Sequence, residues 1–286
     1  MIPRPGVNKI IGAWLARALH KYGDGIEVFA FIFLSNHFHM LVRDTKGQLT
    51  EFMWYLQLNI AKTLNEFNDN RKGEFFSREY DAVPVLADID FLDRYAYTVT
   101  NAVKSKLFAR ALEGPFLNSL GAARKDSPMQ FTWFDKTAYH NKTRRNQKVD
   151  RSEFETVYEI PITPPPMWQS LSKSERRNQI DKLVKNYEAR YAKERRSEKQ
   201  TVLGTNGIAK QRWWQRPKDP ARRPRVKVFC CIKKLKEEYL EGRRIIVGAY
   251  REMFDGFRKA SALGRRVILG WPSGCYPPSC IRPVCA

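Results

Sequence analysis

The segment that most restricts the fold is Glu27 to Arg43. Glu27-Val28-Phe29-Ala30-Phe31-Ile32-Phe33-Leu34 is a run of β-branched and aromatic residues too short for a buried helix. Ser35-Asn36 supplies a tight turn, and His37 to Arg43 then alternates between polar and apolar side chains. Such a pattern specifies a β-hairpin whose first strand is buried and whose second is two-faced. In the second strand Phe38, Met40 and Val42 share one face, and His37 and His39 share the other.

Helical periodicity surrounds the hairpin. Ile10, Ile11, Trp14, Leu15, Ala18 and Leu19 recur at helical spacing before Gly23, which predicts a helix over 7–22. A second is expected over Leu49 to Phe67, with Phe52, Leu56, Ile60, Leu64 and Phe67 on one stripe. Glu74 to Leu86 reads as short strands interrupted at Pro84, and Asp88-Ile89-Asp90 opens a third helix running to about Arg110. Beyond Gly114-Pro115 the pattern weakens. Residues 121–151 read as polar and basic, and Pro161 to Pro166 as a linker or turn cluster. Ser172-Lys173-Ser174-Glu175 is a capping-box pattern before a long basic helix reaching about Ser197. Residues 210–227 are expected to be extended, Val228 to Ile232 to form a strand, and Lys234 to Leu263 two helical stretches.

Charge divides the chain. Residues 1–110 carry 14 basic and 12 acidic side chains, whereas residues 111–286 carry 37 and 18. The front therefore reads as an ordinary folded module (1–120), and the rest (121–286) as a basic, mostly helical extension suited to a polyanion, nucleic acid above all. The longest apolar run, Val28 to Leu34, is far shorter than the roughly 20 residues a membrane span requires. No membrane partner is expected, and with no apolar export segment in the first residues the expected location is the cytoplasm. Cys230, Cys231, Cys275, Cys280 and Cys285 all fall late and lack a metal-binding spacing, so they are expected as reduced thiols.

Two imidazoles on one strand face are suited to sharing a divalent ion, although a His-x-His pair taken alone is more often just surface imidazole. On the third helix, at about 100° per residue, Leu92, Tyr95, Val99 and Val103 form the apolar stripe. Arg94, Tyr97, Asn101 and Lys104 lie on the other side. Tyr95 is thus a core tyrosine, and Tyr97 shares a face with an amide and two cations, the setting in which a phenol can serve as a nucleophile.

Phe33-Leu34-Ser35-Asn36-His37-Phe38-His39-Met40-Leu41-Val42 resembles the NHxHLLV hairpin of the single-tyrosine HUH transposases, and most of all their REP-associated, insertion-sequence-200-like branch. Arg71 to Tyr80 is similar to the family's RxGxLFQxRY strand, and Arg94 to Val103 to its RYxxLNPV helix. The likeness covers about residues 7–120 and touches Val202-Leu203-Gly204 and Gly270 to Gly274 more weakly. It implies a ferredoxin-like antiparallel sheet with helices on one side, His37, His39 and Asn101 as ligands of Mg²⁺ or Mn²⁺, and Tyr97 as the nucleophile. It departs from the family in three places. Only six residues, two of them proline, precede the first helix where the family has a strand, so the sheet lacks that strand or the chain's start is late. Asn101-Ala102-Val103 stands for Asn-Pro-Val, and Leu34-Ser35 stands for Met-Pro.

The function expected on this basis is cleavage and rejoining of single-stranded or hairpin DNA, including palindromes of the REP type, through a 5′-phosphotyrosine link, by a monomer or homodimer. Arg94 and Lys104 are candidates for neutralising phosphate charge. Arg212, Trp213, Trp214 and Arg216 are candidates for holding DNA. Trp168, Trp213 and Trp214 are candidates either to stack on unpaired bases or to anchor the extension. The alternative is a nucleic-acid-binding protein that has lost catalysis. A second alternative concerns residues 111–286, which would brace the sheet in place of the missing strand instead of gripping DNA.

Overall fold

A computed structural model describes residues 4–67, 74–77, 80–144, 149–211 and 225–263. The chain is α+β, with small antiparallel sheets flanked by helices. It divides into two compact units, residues 1–81 with 92–222, and residues 82–91 with 223–286.

In the first unit, α1 (Pro5–Tyr22) starts on a proline, which suits a first turn that has no use for the missing N–H. Strands β1 (Ile26–Phe33) and β2 (Phe38–Asp44) form the expected hairpin. The hydrogen bond from Leu34 N to His37 O closes its turn at 2.9 Å. Helix α2 (Leu49–Phe67) buries Phe52, Met53, Leu56, Ile60 and Leu64.

The third predicted helix is shorter than its periodicity implied. α3 (Asp88–Val99) stops at Thr100, and a single further turn, α4 (Asn101–Lys104), follows. Thr100 bonds its own hydroxyl to Ala96 O at 2.6 Å and sits outside helical dihedrals. Back-bonding of this kind competes with the helix ladder. The described part of residues 74–86 holds no strand beyond a single bridge at Val85.

The stretch 121–151 is more ordered than its polarity implied. After β3 (Leu117–Asn118) come α5 (Leu120–Lys125), β4 (Met129–Phe134), α6 (Lys136–Thr143) and β5 (Glu155–Ile160), with β4 and β5 forming a second antiparallel sheet. Met129 and Phe131 of β4 and Tyr158 of β5 lie against the main core, and α1 packs against both strands. Gly12 permits that approach, because a Cβ there would lie 2.1 Å from the Phe131 ring. The capping box forms as expected at the start of α7 (Lys173–Ser197), and α8 (Gly204–Lys210) follows.

The main sheet has the order β2-β1-β3. Along β1, Phe31 and Phe33 join the α1/α2 core, whereas Ile32 and Leu34 join Ala102, Phe108, Phe116 and Ile208. Helical residues therefore cover both faces, where the sequence had implied one. β3 pairs with Ile32 and Phe33, and Thr163 N donates to Val28 O at 2.8 Å, so the same edge of β1 is covered by two separate chain segments. Ile160 is fully buried in the main core. The boundary expected near residue 120 therefore runs through the middle of this unit.

In the second unit, Phe229 bridges Val85 in parallel, the remnant of the strand expected at 228–232. The helix α9 (Lys233–Ala262) is continuous where two stretches were expected. Cys230 and Cys231 are free thiols, and Cys275, Cys280 and Cys285 lie outside the described residues.

Candidate active site

The β1/β2 register determines which side of the sheet the histidines occupy. His39 stands opposite Ile32, and Phe38 opposite Phe33. Residues directly opposite share a face. Phe38 thus stacks on Phe33 in the α1/α2 core at 5.1 Å between ring centroids, and His39 shares the face of Ile32, toward Ala102 of α4. His37 sits in the turn just before β2, its ring edge-on to His39 with centroids 5.1 Å apart.

Tyr97 and Asn101 reach this face from α3 and α4. The Tyr97 ring lies edge-on to His39 at 5.2 Å. Asn101 is 2% exposed, and its Oδ1 lies 3.3 Å from His37 Nε2. Lys104 Nζ stands 4.2 Å and Arg94 Cζ 5.0 Å from the Tyr97 ring centre, so two cations flank the phenol. Six of the expected site residues therefore meet in one place. Arg212, Trp213, Trp214 and Arg216 lie outside the described residues. Trp168 is 7% exposed and edge-on to Tyr95, which makes it a core anchor and not a stacking platform.

Both imidazoles are held below their ordinary pKa. Burial lowers His37, against a hydrogen bond to Asn101 Oδ1 that raises it. Burial, aided by His37, Lys104 and Arg94, lowers His39 to about 4. Near neutral pH both are therefore uncharged, the form in which imidazole binds a metal. His37 Nδ1 lies 2.8 Å from Asn36 Oδ1. In the tautomer that donates this bond, His37 Nε2 and Asn101 Oδ1 face each other as two acceptors, an arrangement a divalent cation satisfies. The described residues hold no cluster of three or more His, Cys, Asp and Glu side chains, so a metal here depends on the mixed set of two imidazoles and one amide oxygen.

Sequence reasoning missed the residues that orient this set. Asn36 fixes the His37 ring, and Ser105 Oγ donates to Asn101 Oδ1 at 3.2 Å. Both had a local signal, adjacency in the turn and the i+4 spacing on the helix. Asp93 pairs with Arg94 and accepts a hydrogen bond from Tyr187 OH, and no sequence signal links residues 94 positions apart.

Comparison with protein-family models, with curated proteins and with solved structures finds no match for this chain. No helix among the described residues is long and apolar enough to cross a membrane.

Proposed function

We propose that the chain is a metal-assisted, single-tyrosine nuclease and strand-transfer enzyme, a DNA transposase of the HUH kind its motifs resemble, acting on single-stranded or hairpin DNA. The observation that carries this reading is the convergence of His37, His39 and Asn101 beside Tyr97, itself flanked by Arg94 and Lys104. The fold reading that accompanies it is a ferredoxin-like sheet built on the β1/β2 hairpin, with β3 and the chain around Thr163 bonded to the free edge of β1.

In this reading the Tyr97 oxygen attacks phosphorus, and its proton passes to solvent. The bond from phosphorus to the 3′ oxygen breaks, and that oxygen leaves and takes up a proton. The products are a 5′-phosphotyrosine ester and a free 3′-OH. One phosphodiester-type bond replaces another, so the strand can be rejoined without an external energy source. A Mg²⁺ or Mn²⁺ ion held by His37, His39 and Asn101 would polarise the non-bridging oxygens. Arg94 and Lys104 offset the charge that develops on the phosphate.

The test is a covalent protein–oligonucleotide adduct on a denaturing gel. The full chain should form it with Mg²⁺ or Mn²⁺ and not with EDTA, and Tyr97→Phe should abolish it while leaving the fold and DNA affinity nearly unchanged. A full chain that binds DNA but yields no adduct would establish the other reading, a nucleic-acid-binding protein without catalysis.

A further inference from the structure

Helix α7 sorts its charges by side. Its inward face buries Ile180, Val184 and Tyr191, and Glu188 accepts a hydrogen bond from Ala111 N at 2.7 Å. Its other carboxylates are also engaged. Glu175 closes the capping box, Asp181 pairs with Arg124 at 2.7 Å, and Glu194 pairs with Arg190 at 3.0 Å. What remains on the opposite side is a stripe of exposed cations, Lys182, Lys185, Lys193 and Arg196, none of which has a carboxylate partner among the described residues. At 100° per residue the four lie within about 80° of one another and span about 21 Å of helix.

This stripe is not self-stabilising. Lys182 with Lys185, and Lys193 with Arg196, are like charges at i,i+3, so each pair is mutually repulsive in the free helix. A polyanion relieves that repulsion, and the four cations in turn replace the counterions condensed on its backbone. The helix is also fixed relative to the candidate site. It packs against α4, and Tyr187 on its inward side bonds Asp93, the neighbour of Arg94.

We infer that the Lys182–Lys185–Lys193–Arg196 face of α7 is a docking surface for the phosphate backbone of the DNA flanking the cleaved bond. Along a duplex stem, the length of the stripe corresponds to the axial rise of about six base pairs at 3.4 Å each. The inference rests on the proposed DNA substrate, but binding can be measured without the chemistry.

The experiment compares two full-length fourfold variants of equal net charge. One carries Lys182→Gln, Lys185→Gln, Lys193→Gln and Arg196→Gln. The other carries Arg4→Gln, Lys9→Gln, Lys46→Gln and Lys62→Gln, all exposed positions outside α7. Affinity for fluorescent hairpin oligonucleotides of two unrelated sequences is measured in EDTA across a salt series. The α7 variant should bind both at least about tenfold more weakly, with a log–log salt slope shallower by about 3 to 4, roughly one per lost contact. The comparison variant should stay near the wild-type chain. Equal losses in both variants would reduce the effect to net charge and overturn the proposal, as would unchanged binding in the α7 variant. Vesicles containing anionic lipid separate a membrane from DNA. If the α7 substitutions abolish vesicle binding but not DNA binding, DNA is the wrong occupant. The pairs Lys182→Gln/Lys185→Gln and Lys193→Gln/Arg196→Gln, each expected to show half the slope change, keep the test sound if the fourfold variant unfolds early. Because binding is read in EDTA, a wild-type chain that forms no adduct would sink the Tyr97 chemistry without touching this result.

Discussion

Tyr95 and Tyr97 stand two residues apart on one helix and have opposite surroundings. Tyr95 is 1% exposed, its hydroxyl has no hydrogen-bond partner among the described residues, and burial pushes its phenol well above the usual range. Removing an unpaired buried hydroxyl is neutral or stabilising, by up to about 1 kcal/mol. Tyr95→Phe should therefore melt at or slightly above the wild-type temperature and keep the DNA adduct, in contrast to Tyr97→Phe. A folded Tyr95→Phe protein without the adduct would reverse the assignment of the two tyrosines. The helical wheel could separate them because burial on a packed helix follows its 3.6-residue period. The histidines allow a parallel test. His37→Ala with His39→Ala should abolish metal-dependent adduct formation and the heat of Mn²⁺ binding in the presence of DNA, yet shift the melting temperature little, since neither ring is in the core. Cleavage that survives in the double variant would exclude both as ligands. The Asp93 to Tyr187 bond could not have been foreseen, because only the folded chain brings α7 beside α3.

At the level of elements, periodicity was a good guide where a single face is buried. α2 has the predicted limits, and the α7 cap has the predicted partners, because both depend on neighbours within four residues. The β4/β5 pair escaped notice although Met129, Phe131 and Trp133 alternate with Gln130 and Thr132, because the run is short and lies in an otherwise polar, basic stretch. One local device carries a prediction of its own. The Asp44 carboxylate accepts backbone N–H groups from Gln48 at 3.0 Å and Leu49 at 2.9 Å, and from Lys46 at 3.2 Å, so it joins β2 to the start of α2. Partial burial raises its pKa, but the backbone bonds from Gln48, Leu49, Lys46 and Gly47 outweigh that and hold it below the usual carboxylate range. A depressed carboxylate stabilises the fold above its unfolded pKa and loses that contribution as pH falls through the folded one. Asp44→Asn, which keeps one oxygen acceptor but removes the charge, should cost about 1 kcal/mol at pH 7, the usual difference between a hydrogen bond to a charged group and one to a neutral group. In chemical denaturation the gap between wild type and variant should close as pH drops below about 4. A gap that is constant with pH would show that the charge of Asp44 contributes nothing.

For the whole molecule, the charge split at residue 110 is real, but it does not mark a structural boundary. Charge measures what a surface attracts, whereas a boundary is set by where buried contacts cease, and here they continue well past residue 120. Of the two expectations for the back half, grip or brace, the contacts at Val28, Ile32 and Phe33 show bracing, and the α7 stripe is proposed to add the grip. The consequence is testable by truncation. A chain ending at Leu120 loses Ile160, Trp168, Ile180, Val184, Tyr191 and Ile208, all buried. At about 1.5–3 kcal/mol per fully buried large side chain, the loss is on the order of 10 kcal/mol. That is comparable with the entire stability of a typical domain, about 5–15 kcal/mol. The short chain should therefore show no cooperative melt by circular dichroism and no adduct. A chain ending at Gln211 keeps every one of those residues and should melt cooperatively and retain the adduct. If the chain ending at Leu120 folds and reacts, the front half is an independent catalytic module, and the β3, β4/β5 and α7 contacts are dispensable packing.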